Sequence, residues 1–338
     1  MNRRLLHATA AIAASAVTLM HPGVAAQNNW RAHLKGLPER VITPPKTSEG
    51  WPDLQGKWRI FNRIGGPQHS IEYGIDPQSS AIHDWNRKAR EASIVIDPPN
   101  GLIPYNEAAM ARRNEYLRWV YTPTKRQHID PEARCLLGGV PRATLQGAEI
   151  RYAPPFVVFV NLGRTSDMGG YTRIIPMDGR PFPHDTLELT KGISRGHWEG
   201  DTLVVETRNQ NDKTWFDSHG SFHSNRIMVV ERITMVDHDT MYYQATVVDP
   251  DVFTQPWTLA TTWNRAKNEA ERQWEEGCWE GERDVEHMLE AGRRAYAAGH
   301  RGIHEHKDPD KGEQFAPAVK NRPALSTAEG PARKDSRR

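Results

Sequence analysis

His219 and His223 stand four residues apart in the stretch Thr214–Met228, TWFDSHGSFHSNRIM. Two imidazoles at that spacing can share a metal ion when they ride on one helix face. Here Gly220 and Ser221 lie between them, and no helical pattern surrounds them. A third ligand would have to come from Asp217 or Asp185, a looser cluster than structural metal sites show. The expectation is therefore no metal and no cofactor. A polar loop at the rim of a sheet suits the two histidines better. An imidazole there titrates near pH ~6.5 and can take or give a proton at neutral pH. His223 adjoins the start of a strand-like run, which makes it the first candidate acid or base, with His219 second.

That run, RIMVVERITM, alternates. Ile227, Val229, Glu231 and Ile233 share one face, so Glu231 needs a partner if the face turns inward. Arg173, in YTRIIPM, alternates with Tyr171 and Ile175 and is the candidate. The pair reads either as a buried brace or as a charged pocket floor that polarises a substrate oxygen. Tyr171, Trp198, Tyr243, Trp257 and Trp263 are rigid aromatics on strand-like segments, suited to a hydrophobic core or to lining a ligand cavity. Trp257 and Trp263 share a face with Leu259 and Thr261.

Several chemistries are excluded. No G-x-S-x-G elbow occurs, no phosphate-binding glycine loop, no dinucleotide fingerprint and no C-x-x-C. Asp178-Gly179-Arg180 and Glu199-Gly200-Asp201 read as hairpin turns.

The elements that must position these residues are mostly strands. Alternation predicts a first strand at LQGKWRIFN and a short one in IVIDPPNGLIPY. Between residues 148 and 278 it predicts nine in succession: AEIRYA, PFVVFVNL, GYTRIIPM, LELTKGISRGHWE, DTLVVETRN, NRIMVVERITMV, TMYYQATVV, PWTLATTWNR and ERQWEEGC. Tight polar turns join several of them, which means antiparallel hairpins and a sheet curled into a barrel. Helical spacing predicts two early helices. One is SSAIHDWNRKAREAS, capped by Ser79 or Ser80. The other is NEAAMARRNEYLRWV, capped by Asn106, with Met110, Leu117 and Val120 on one face. A closing helix, DVEHMLEAGRRAYAAG, starts at Asp284 as cap and ends at Gly299.

Gly56-Lys57-Trp58 on the first strand, followed by a meander and a late helix, resembles the lipocalin-like (calycin) barrels. That resemblance implies an up-and-down barrel with a ligand cavity; the two early helices depart from the small lipocalins. The phrases IDPPNGLIPY, RCLLGGVPR, RIIPMDGRPFP and GHWEGDTLVVET, within roughly residues 50–260, are similar to a large group of secreted bacterial proteins. The similarity implies export and one shared fold, and supplies no reaction.

The N-terminus points the same way. Arg3 and Arg4 precede the apolar LLHATAAIAASAVTLM, and Val24 and Ala26 suit cleavage after Ala26. This is the secretory pattern. Residues 1–26 are thus expected to be a signal peptide and 27–52 an irregular Pro-rich leader. Residues 53–299 form the barrel domain and 300–338 a disordered tail. No other segment is apolar and long enough to span a membrane. Net charge is +2 with no basic stripe, which argues against nucleic acid. The two cysteines, Cys135 and Cys278, read in a periplasmic or secreted protein as one disulfide. The chain-entropy model gives a loop that long about 5 kcal/mol.

Together these readings describe an exported, cofactor-independent lyase, isomerase or hydrolase. It would move a proton on a small hydrophobic or aromatic molecule, with His223 as acid or base and Arg173 with Glu231 polarising the substrate. The alternative is a non-catalytic binding protein of lipocalin type.

Overall fold

The computed structural model describes residues 42–60, 71–72, 93–145, 147–160, 172–184, 186–267 and 283–300. Outside them lie the expected signal segment, the first part of the expected leader, the helix expected from Ser79, Tyr171, Asp185, the strand expected at 271–278, Cys278 and the residues beyond His300.

Ten strands form one antiparallel sheet: β1 (Gly56–Ile60), β2 (Val95–Asp97), β3 (Gly147–Ala153), β4 (Phe156–Val160), β5 (Thr172–Pro176), β6 (Ile193–Glu199), β7 (Thr202–Arg208), β8 (Met228–Asp237), β9 (Thr240–Val248) and β10 (Trp257–Arg265). The hydrogen-bonded order is β5-β4-β3-β1-β10-β9-β8-β7-β6, with β2 paired to β10 beside this path. Along β3–β5 and β6–β10 each strand pairs with its neighbour in the chain, and β1 joins the two runs by pairing with β3 and β10. This is an up-and-down meander rolled into a nearly closed barrel. Among the described residues the backbone ladder has a gap between the two end strands, β5 and β6.

The roll follows from alternation. On β8, Val229, Glu231, Ile233 and Met235 are buried while Met228, Val230, Arg232 and Thr234 are not. Inward residues from the other strands complete a dense interior, with Trp58, Phe159, Tyr243, Trp257 and Trp263 fully enclosed. Gly196 lets the gap close. A Cβ there would meet Ile175 Cγ2 of β5 at 2.8 Å and would also collide with Met177.

Among the described residues three α-helices accompany the barrel: α1 (Glu107–Trp119), α2 (Arg142–Leu145) and α3 (Asp284–Ala297). Asn106 caps α1 by accepting from Ala109 N at 2.9 Å. Its buried face is Ala109, Arg113, Tyr116 and Leu117, and Met110 is exposed. The face is turned from the one hydropathy selects because Arg113 goes inside, paired to Glu72 at 2.8 Å. The N-cap of α3 is Arg283 rather than Asp284, which instead lies in the first turn, where its charge suits the helix dipole. Gly299 follows the helix with φ +96°, a conformation that favours glycine. Among the described residues no helix is long and apolar enough to cross a membrane.

Candidate functional site

Arg173 leaves β5 pointing into the barrel. Its guanidinium donates from Nε to Ser194 Oγ of β6 (2.9 Å), from Nη1 to Thr144 Oγ1 of α2 (3.1 Å) and from Nη2 to Thr207 Oγ1 of β7 (2.6 Å). Nη2 also pairs with Glu231 Oε2 of β8. The other carboxyl oxygen, Oε1, accepts from Tyr243 Oη of β9 at 2.9 Å. One side chain thus joins four strands and α2, and it crosses the gap that no backbone ladder spans. Arg173 is 5% exposed and Glu231 is 0% exposed, so the pair is cut off from bulk water. Burial and the neighbouring Glu231 charge push the Tyr243 phenol well above its usual range, so it stays a donor at any ordinary pH. Trp263 stacks on Tyr243 at 4.9 Å, and its indole donates to Leu145 O at 3.3 Å. Thr144 and Leu145 therefore plug the barrel against this network.

The two histidines lie elsewhere. A rim loop would leave them solvated, yet His219 and His223 are both enclosed, because the segment after β7 folds back over the barrel interior. His223 Nδ1 lies 2.8 Å from Ser224 O, which can only accept, so this nitrogen carries the proton. Nε2 then accepts from Thr214 Oγ1 (2.7 Å) and Gln210 Nε2 (3.1 Å). Gln210 also holds Val140: its Oε1 accepts from Val140 N at 2.7 Å, and the same Nε2 donates a second hydrogen to Val140 O at 3.2 Å. Burial lowers the His223 pKa and keeps the ring neutral; the Ser224 carbonyl and the charges of Asp249 and Asp212 act the other way. None of these contacts is with Arg173 or Glu231.

His219 places Nε2 3.3 Å from Tyr121 Oη, under that half-exposed ring. Asp217, a candidate third ligand, turns back on its own loop. It accepts from His219 N (2.9 Å), Ser221 N (3.2 Å), Ser221 Oγ (2.9 Å) and Ile71 N (3.2 Å). Burial raises its pKa against these bonds. Its backbone carbonyl accepts from Arg142 Nη1 at 3.0 Å, and Arg142 is held by both oxygens of Asp130 at 2.9 and 2.8 Å. Among the described residues no group of three metal-ligating side chains gathers.

The aromatic candidates divide. Tyr243, Trp257 and Trp263 are core, with Trp257 packed edge-on against Phe216 at 5.3 Å. Trp198 points inward at the far end of β6 and is only partly buried. Tyr171 lies outside the described residues. Cys135 sits in a left-handed conformation after a 3-10 turn, and the second cysteine of the expected bridge is not described. Thr207 was legible as a polar residue sharing the inward face of Leu203 and Val205. Ser194, Thr144, Gln210 and Thr214 carried no comparable signal.

No protein-family model, curated protein or solved structure matches the chain.

Proposed function

We propose that the chain is an exported, non-catalytic binding protein of lipocalin-like architecture for a small hydrophobic or aromatic molecule. One observation carries this reading: Arg173, Glu231 and His223 all have hydrogen-bond partners within the protein. Arg173 donates to Ser194, Thr144, Thr207 and Glu231, Glu231 accepts from Arg173 and Tyr243, and both ring nitrogens of His223 have partners. A proton-transfer site needs a group with an open position toward substrate. The secretory pattern of the N-terminus supports export to the periplasm or beyond, a compartment in which Cys135 and Cys278 would form a disulfide. Native mass spectrometry of protein purified from its own periplasm tests the reading. A small molecule should co-purify and leave unchanged; a preparation that converts such a molecule would count against it.

A second reading keeps catalysis. Arg173, Glu231 and Tyr243 come from three separate strands and converge inside the barrel. A cofactor-independent lyase, isomerase or hydrolase could use them to polarise a substrate oxygen if the gap between β5 and β6 opened. Turnover abolished by Glu231→Gln in a protein that still folds and binds would favour this reading.

A further inference from the structure

The barrel has a second aromatic cluster, built differently from the enclosed one. β6 starts at the Arg173 network with Ser194 and ends at Trp198, and the loop holding His223 leaves from the first of these ends. At the Trp198 end three rings meet. Trp51 and Tyr152 are 5.5 Å apart at 73°, Trp51 and Trp198 6.4 Å at 48°, and Tyr152 and Trp198 6.4 Å at 74°. All three are only partly buried, whereas Trp58, Tyr243, Trp257 and Trp263 are fully enclosed.

The polar edges of this cluster are unequal. Tyr152 Oη donates to Pro52 O (2.6 Å) and accepts from Leu54 N (3.0 Å). The Trp198 indole N–H is buried with no acceptor. Trp257 Nε1 also lacks one, but its ring is sealed in the core; Trp58 and Trp263 donate to Leu54 O and Leu145 O. A buried donor without an acceptor costs free energy that an incoming acceptor would recover.

Trp51 packs against the Trp198 ring from a hairpin, not from the barrel wall. The backbone bonds Thr47 N to Trp51 O and Gly50 N to Thr47 O, both 2.9 Å, are internal to that hairpin. Two ties hold it to the barrel: the Tyr152 Oη bond to Pro52 O, and an ion pair from Lys46 Nζ to Asp201 in the β6–β7 turn at 2.5 Å, both of whose side chains are substantially exposed. Exposed pairs contribute little. The Trp51 ring, at the free side of the Thr47–Trp51 turn, can therefore move aside while the hairpin keeps its own bonds and its Tyr152 tie. Met177, beside Gly196 on the adjoining wall, is a flexible thioether able to repack around a guest.

We propose that the barrel end beneath Trp51 is a binding subsite for a planar aromatic molecule carrying a hydrogen-bond acceptor, which displaces the Trp51 ring and accepts from the Trp198 indole. This rests on the binding reading above and adds the site and the ligand class. Tyr152 supplies an edge-on wall, Trp198 a face and the specific donor, and Trp51 is the internal competitor.

The test uses two probes of similar size, 2-acetylnaphthalene with a carbonyl acceptor and 2-ethylnaphthalene without one. Calorimetry on the full chain measures both against wild type, Trp51→Ala, Lys46→Ala and Trp198→Phe, each checked for an unchanged circular dichroism spectrum. Removing an internal competitor that covers the site about 90% of the time should tighten both probes about tenfold in Trp51→Ala. Lys46→Ala, which touches no ring, should shift affinity the same way and stands in if Trp51→Ala fails to fold. Trp198→Phe should weaken the ketone about fivefold and leave the ethyl compound unchanged. Probes that bind equally well to every variant overturn the subsite while the binding reading stands. Probes that bind to no folded variant overturn both.

Discussion

Arg173 and Glu231 lie on strands that are not neighbours in the sheet, yet their side chains pair inside the barrel. β5 and β6 meet with no backbone ladder, and the guanidinium holds them together by reaching Ser194, Thr207 and Glu231 in turn. The barrel is thus closed on one side by side-chain chemistry.

The same seam depends on a missing side chain. Gly196→Val would drive a branched group into Ile175 and Met177. Overpacking of this kind costs about 1–3 kcal/mol, so the urea midpoint should fall while the far-UV spectrum stays that of a β protein. A midpoint equal to wild type would show that β5 is free to move away from β6.

Much of this barrel was legible in the sequence because period-2 alternation is a local signal. The inward set on β8 and the strand TMYYQATVV, found as Thr240–Val248, follow from it directly. The histidine loop was not legible. Gly220, Ser218 and Ser221 look like solvent-facing loop chemistry, yet Ser221 and His219 are buried because Asp217 supplies the polar partners that water otherwise would. Such long-range satisfaction leaves no periodic trace. Nor does the Gln210–Val140 clamp, which joins residues 70 positions apart.

His223 gives a pH prediction with a definite sign. Its folded pKa is lowered from the ordinary 6.5, chiefly by burial. The folded state therefore binds its proton less readily than the unfolded state. The His223 contribution is fully present above about pH 6.5 and is lost as pH falls through that value toward the folded pKa. The slope approaches ~1.4 kcal/mol per pH unit. His128 also has a lowered pKa, so the test compares wild type with His223→Gln between pH 7 and 5. The difference in stability should shrink with acid; a constant difference would mean that the ring titrates normally.

Lys191 should react unusually. Burial first, and the Arg173 charge second, lower its pKa to about 7. Its amine donates to Thr172 O of β5 at 3.2 Å. Brief acylation at pH 7.5 followed by peptide mass spectrometry should modify Lys191 ahead of the fully exposed lysines. Labelling no faster than at Lys213 would remove Lys191 from the interior edge of the seam.

The expected disulfide is checked by thiol titration of the denatured, unreduced protein from its native compartment. No free thiol should be found. Two titratable thiols would rule out the Cys135–Cys278 bridge and weaken the argument for export.

The central claim is that Arg173 and Glu231 brace the barrel and do not act on substrate. Comparing Arg173→Met, Glu231→Leu and the double variant for unfolding free energy and probe binding tests it most directly. Each single change strands a buried charge and should cost about 3–5 kcal/mol, while the double change should recover much of that loss. The double variant should also bind 2-acetylnaphthalene as wild type does. Loss of ligand binding in a double variant that stays folded would contradict the account and place the pair in the working site.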